Sequence, residues 1–136
     1  MRPIRILLAL SPLLIAAPAQ QAVAQCKAAT QLSGRWYGND GGTYYLRRFG
    51  NEVWWVGISG DQGKSWTNAF HGTRNGDVIT GEWGDVRGKT PGTGTLTLKL
   101  YRFDSMTRTG GTGSGFGATR WGRGGCPDTA GSPGGP

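Results

Sequence analysis

Between residues 34 and 123 the chain repeats one pattern: a short run of alternating apolar and polar residues, then a turn signal, at roughly 8–12-residue intervals. Alternation with a period of 2 is the mark of a strand with one buried face, and no stretch carries the 3.6-residue period of an amphipathic helix. The punctuation is Asp40-Gly41, Gly50-Asn51, Asn75-Gly76 and the looser RGKTPG at 87–92, in a chain with 26 glycines. Asn-Gly and Asp-Gly favour the left-handed backbone of two-residue hairpin turns. The predicted strands are 34–39, 42–49, 52–59, 66–74, 77–85, 94–102, 104–109 and 117–123. Eight strands with short sequential links predict an all-β fold, a single eight-stranded up-and-down antiparallel barrel, since closure removes both exposed edges.

Residues 1–24 stand apart from this pattern. They hold Arg2 and Arg5, an apolar run from Ile4 to Ala19, and small residues at Ala22 and Ala24. That is the layout of a secretory signal peptide cleaved after Ala24. The run is short and broken by Pro12 and Pro18, which argues against a membrane anchor. Cys26 follows Gln25 rather than a small residue, which argues against lipidation. The expected organisation is a signal peptide at 1–24, a barrel domain at 25–126 and a disordered Gly/Pro-rich tail at 127–136, in a secreted or periplasmic protein. Cys26 and Cys126 flank the patterned region, and in an oxidising compartment they are expected to form one disulfide closing the domain. Losing Arg2 and Arg5 lowers the formal charge from +7 by two, to +5. The basic residues are scattered, with no run beyond Arg47-Arg48, so nucleic acid is not an expected partner.

The hairpins predict which side chains are hidden. A two-residue turn at Asn75-Gly76 pairs Gly72 with Ile79, Phe70 with Gly81, Asn68 with Trp83 and Trp66 with Asp85. That face carries Trp66, Phe70, Ile79 and Trp83 and is the expected core, which puts His71 outside. Asn68 and Asp85 then lie among tryptophans, where they need backbone or ligand partners. The Gly50-Asn51 turn pairs Arg47 with Trp54, Tyr45 with Val56 and Leu46 with Trp55. With a two-residue turn at Asp40-Gly41, Trp36 joins Tyr45. The Trp36, Tyr45, Phe49, Trp54, Val56 and Ile58 face is the more apolar. Trp54 is therefore expected inside, and Trp55 outside with Tyr37, Tyr44, Leu46 and Val53. An outer patch of that kind marks an interaction site.

LSGRW at 32–36 opens the domain and ATRW closes it, with Arg120 late in the chain. A Gly-x-Trp first strand, a meander and a late arginine together resemble the calycin group of small barrels, lipocalins and avidins, in outline over 32–123. The resemblance implies that Trp36 closes one end of the barrel and that Arg120 stacks on it, as in lipocalins. AATQLSGRW is also similar to the small periplasmic inhibitors of bacterial metalloproteases, eight-strand barrels with one disulfide and an N-terminal arm that enters the protease cleft. The tryptophan-rich middle departs from that second pattern.

Catalytic constellations are not found. GDQGKS lacks the phosphate-loop glycine five residues before Gly63, where Ile58 stands. GGTGSGFG at 110–117 has no strand–turn–helix context and reads as a loop. His71 is predicted outside, Glu82 and Asp85 fall on opposite faces, and two cysteines with one histidine make no zinc site. The expectation is a non-enzyme without cofactor or metal. Its ligand, small or oligomeric, would enter an aromatic cavity lined by Trp36, Tyr45, Trp54, Trp66, Asn68, Trp83 and Asp85. The alternatives are a protein-interaction module or protease inhibitor acting through an exterior patch of Tyr37, Tyr44, Leu46 and Trp55, or carbohydrate binding by that patch.

Overall fold

The computed structural model describes residues 31–123. Eight strands follow one another as β1 (Gly34–Gly38), β2 (Thr43–Phe49), β3 (Glu52–Ile58), β4 (Trp66–Asn75), β5 (Val78–Gly88), β6 (Thr93–Tyr101), β7 (Ser105–Gly111) and β8 (Arg120–Gly122). Each pairs antiparallel with the next, and β8 returns to β1, so the sheet is a closed up-and-down barrel. This is the predicted architecture, and it is compatible with a calycin-like fold. The expected leader, the tail and the cysteine pair Cys26–Cys126 lie outside the described residues.

The core is the inner face of the barrel. Trp36, Tyr44, Val53, Phe70, Ile79, Leu96, Leu98, Met106 and Trp121 are all buried. Each buried aromatic ring removes ~200 Å² from water, worth about 5 kcal/mol as an upper figure. The interior is filled by side chains from every strand.

Parity decides which rings do this, and here the structure corrects the sequence reading. The β4–β5 turn uses Gly76 and Asp77, not Asn75 and Gly76, so Phe70 pairs with Trp83 and Asn68 with Asp85. A glycine at the first central position, with Gly76 at φ 63°, is the type II′ preference rather than type I′. The shift moves the pairing by two residues, and an even shift leaves the faces unchanged. Phe70, Ile79 and Trp83 are buried as expected, and His71 is exposed.

The β1–β2 link changes faces. Gly38 N donates to Gly42 O, which leaves three residues, Asn39, Asp40 and Gly41, in the turn. One extra residue flips the parity, and Trp36 pairs with Tyr44 instead of joining Tyr45. The β2–β3 register is as predicted, Leu46 to Trp55 and Tyr45 to Val56, but its hidden side is the opposite one. Trp55 is 3% exposed and Trp54 45%. The cause lies across the next seam: β3 meets β4 with Trp55 opposite Phe70 and Val53 opposite Gly72. Once Phe70 faces inward, its cross-strand partner Trp55 must do so too.

The end of the barrel that carries residues 31–33 and Arg123 is closed by Trp36. Its Nε1 donates to Leu32 O at 3.0 Å, and a guanidinium lies 4.9 Å from its ring centre. That guanidinium belongs to Arg123, not to Arg120, which is exposed. Arg123 also donates to the carbonyls of Gln31, Ser33 and Phe103. Burial holds its pKa below the usual arginine value.

Candidate functional site

The opposite end is the mouth, where the links 39–42, 59–65, 89–92 and 112–119 meet. Asn68 comes off the inner face of β4, and its Oδ1 accepts from Trp55 Nε1 at 3.1 Å. Gly57 makes this possible, because a Cβ there would fall 2.5 Å from Asn68 Oδ1 and 2.6 Å from the Tyr44 ring. Asp85 lies opposite Asn68, and its Oδ2 accepts from Gly92 N at 3.0 Å. Asp40 accepts from Gly42 N at 3.0 Å and from the Tyr44 hydroxyl at 2.7 Å. Burial, then the neighbouring Asp40 carboxylate, pushes the Tyr44 hydroxyl well above the usual tyrosine range. Trp66 leans over Tyr44 with ring centres 5.9 Å apart.

A side chain from a loop stops this mouth. The glycine-rich link between β7 and β8 turns back over the barrel; Gly111 at the end of β7 and Gly113 and Gly115 in the link have φ of 133°, 90° and 96°, angles that other residues rarely adopt. Its stem is tied to β6, where Thr112 and Thr95 exchange backbone hydrogen bonds. The turn brings Phe116 and Ala118 into the core cluster. Phe116 sits 4.9 Å from Trp83, 6.1 Å from Trp121 and 6.3 Å from Trp55, measured between ring centres. Gly92 lets the neighbouring loop close, because a Cβ there would meet Ser114 O at 2.7 Å and Trp83 Cη2 at 2.9 Å.

Beneath the plug lie two buried indole N–H groups. That of Trp83 has no hydrogen-bond partner among the described residues, and that of Trp121 has only a weak contact to the Tyr44 hydroxyl. Arg108 joins them from β7. It pairs with Leu98, which is buried, so it shares the inward face with Met106. Its guanidinium lies 5.9 Å from the Phe116 ring centre, and its Nη1 donates to Phe116 O at 3.4 Å. The mouth thus has aromatic walls, two satisfied carboxylates and an unspent donor, arranged around the phenyl ring of Phe116.

Of the residues expected to line a cavity, Trp66, Asn68, Trp83 and Asp85 gather here. Trp36 is buried at the far end under Arg123, and Tyr45 and Trp54 are on the outside. The expected exterior patch is also corrected. Tyr44, Leu46 and Trp55 are interior, and Tyr37 is half-buried beneath the Arg35 guanidinium. Tyr44, Trp55, Arg108, Phe116 and Trp121 belong to the mouth without having been singled out for it. The first two were misplaced by parity, and Phe116 was hidden in a stretch whose glycines read as an empty loop.

Compared with known proteins, the chain matches no family model, no curated protein and no solved structure.

Proposed function

We propose that this is an exported, non-catalytic barrel that takes up a small aromatic ligand bearing an acceptor or anionic group, in the space Phe116 occupies. The observation that carries this reading is the buried indole N–H of Trp83, which has no acceptor among the described residues. A buried donor left unpaired costs about 1–3 kcal/mol, and native proteins leave few of them. A ligand acceptor would recover that cost. Arg108 adds a positive charge on the same inner face. Phe116 is borne by a loop, so it can leave without breaking a strand pairing. The site asks for binding only, since Asp40 and Asp85 already hold donors of their own and no histidine reaches the mouth.

The test is titration of the purified protein with 2-naphthoate, followed by tryptophan fluorescence. Phe116→Ala empties the plug and should bind the probe at least ~10-fold more tightly than the parent, with near-ultraviolet circular dichroism retained. Trp83→Phe in that background removes one donor and should reverse about 1–2 kcal/mol of the gain. A Phe116→Ala protein that stays folded yet binds no better than the parent would sink the reading.

A further inference from the structure

The exterior of β3 to β6 carries a concavity on the outer face of the sheet, away from the inward-facing rings of the mouth. Cross-strand register lines up Trp54, His71, Glu82 and Thr95 in one row and Val56, Ala69, Gly84 and Thr93 in the next. A tall row beside a short one leaves a trough of about 520 Å³, lined by Trp54, His71, Glu82, Ala69, Gly84 and Thr93 among others. Crossing four strands ~4.8 Å apart, it runs for roughly 14 Å.

Gly84 is what makes it a trough, and nothing inside the fold asks for glycine there. Its φ is not in the left-handed region. A Cβ at this position would touch only Thr93 Cγ2, at 3.6 Å, an ordinary contact. Glycine in a strand interior weakens the strand and often marks a place where something approaches closely. The wall is already set. Trp54 and His71 stack with ring centres 3.8 Å apart and planes 17° apart. Glu52 Oε2 accepts from Trp54 Nε1 at 3.4 Å and lies 3.5 Å from His71 Nε2. Glu82 stands directly across from His71 and has no cationic partner among the described residues.

We infer that this trough binds an oligosaccharide of neutral or amine-bearing pyranose rings. A pyranose has a C–H face and a rim of hydroxyls, and the trough offers both kinds of surface. Apolar contact comes from Trp54 and the Ala69 methyl, hydrogen bonds from Glu82, His71 and Thr93. Its length suits several linked rings rather than one. Glu82 is the one carboxylate in the lining, while Arg47, next in the row beyond Trp54, stands outside it, so the trough repels uronate or sulfated sugars and attracts a protonated amine.

The experiment is affinity electrophoresis and calorimetry with chitosan hexamer, cellohexaose and a galacturonate hexamer as probes. The parent should bind at least one of the first two and not the third. Trp54→Ala should weaken binding about tenfold or more. Gly84→Val fills the floor with a residue that strands favour, so it should keep the fold and its thermal midpoint while losing binding by a similar factor. Phe116→Ala should bind these sugars like the parent, which separates this site from the mouth. Unaltered binding by Gly84→Val, binding of the galacturonate hexamer alone, or no binding of any probe by the folded parent would each overturn the inference.

Discussion

At the scale of single residues, the chemistry concentrates on Tyr44. Its ring makes edge contacts with Trp55 and Trp121 at 5.6 and 5.8 Å, and its hydroxyl donates to Asp40. In the unfolded chain a tyrosine ionises near 10.0, whereas in the barrel burial and Asp40 keep Tyr44 protonated well beyond that. A raised folded pKa contributes stability that is complete below the unfolded value and is lost as pH climbs above it. Tyr44→Phe removes the hydroxyl, while Asp40 keeps its bond from Gly42 N. The variant should be less stable by about 2 kcal/mol at neutral pH, the scale of a hydrogen bond to a charged group. Between about pH 9 and 11 that deficit should shrink, because the parent loses stability there and phenylalanine has no proton to lose. Urea midpoints measured across that range check both parts. A deficit that grows with pH would contradict the linkage.

Among the elements, the links carry more of the specification than the strands. The long link 59–65 between β3 and β4 is organised by Asp61. Its carboxylate accepts from the hydroxyls of Ser59 and Ser65 and from the backbone N–H groups of Lys64 and Ser65, the last two at 3.0 and 3.1 Å. Those bonds, led by the Ser59 and Ser65 hydroxyls, hold the Asp61 carboxyl below the usual aspartate range. A depressed folded pKa contributes stability present above the unfolded value and lost as pH falls below it. Asp61→Asn should therefore cost most at pH 7, where that contribution is complete, and progressively less as pH falls below about 4, which flattens the acid limb of the stability profile. An unchanged acid limb in thermal melts would count against this role. The same link explains what the sequence could and could not disclose. Strand number, order and the two-residue β2–β3 turn were legible, because alternation and turn dipeptides are local signals. The inner face of β2 and β3 was not, because it depends on whether an odd or even number of residues separates Trp55 from Phe70 and Trp36 from Tyr44. Those counts are set by hydrogen bonds such as Gly38 N to Gly42 O and Ser59 N to Trp66 O, which no dipeptide announces. Summing apolar residues on each face then misled, since Tyr45, Phe49, Trp54 and Val56 are apolar and wet. The mouth was half-legible for a related reason: Asn68 and Asp85 stood out as polar residues on an apolar face, while Phe116 sat in a segment with no alternation to read.

For the whole molecule, closure is the weak point. β4 and β5 pair through ten residues each, but β1 and β8 pair only as Tyr37 with Gly122 and Gly38 with Trp121. Side chains lengthen this seam at both ends. At the mouth, Asn39 Oδ1 accepts from Thr119 N at 2.9 Å and Arg120 N at 3.1 Å, and its Nδ2 donates to Thr119 Oγ1 at 2.9 Å. At the other end, Arg123 ties β8 to the carbonyls of Gln31 and Ser33 and lies over Trp36. Asn39→Ala should cost about 1–2 kcal/mol, since its bonds are exposed and each is worth ~0.5–1.5 kcal/mol net. Arg123→Ala should cost a similar amount, of which the cation–ring contact supplies ~0.5–2 kcal/mol. Both changes favour the same local opening, the unzipping of β8 from β1. Once either has opened it, the other has less left to remove, so the double variant should lose less than the sum of the singles. Hydrogen exchange should show the cause: amides of β1 and β8 exchange faster in each single variant, while those of β4 and β5 keep the parent rate. Strict additivity, together with uniform acceleration across all eight strands, would mean that the barrel opens only as one unit and that the seam is no weaker than the rest of the sheet.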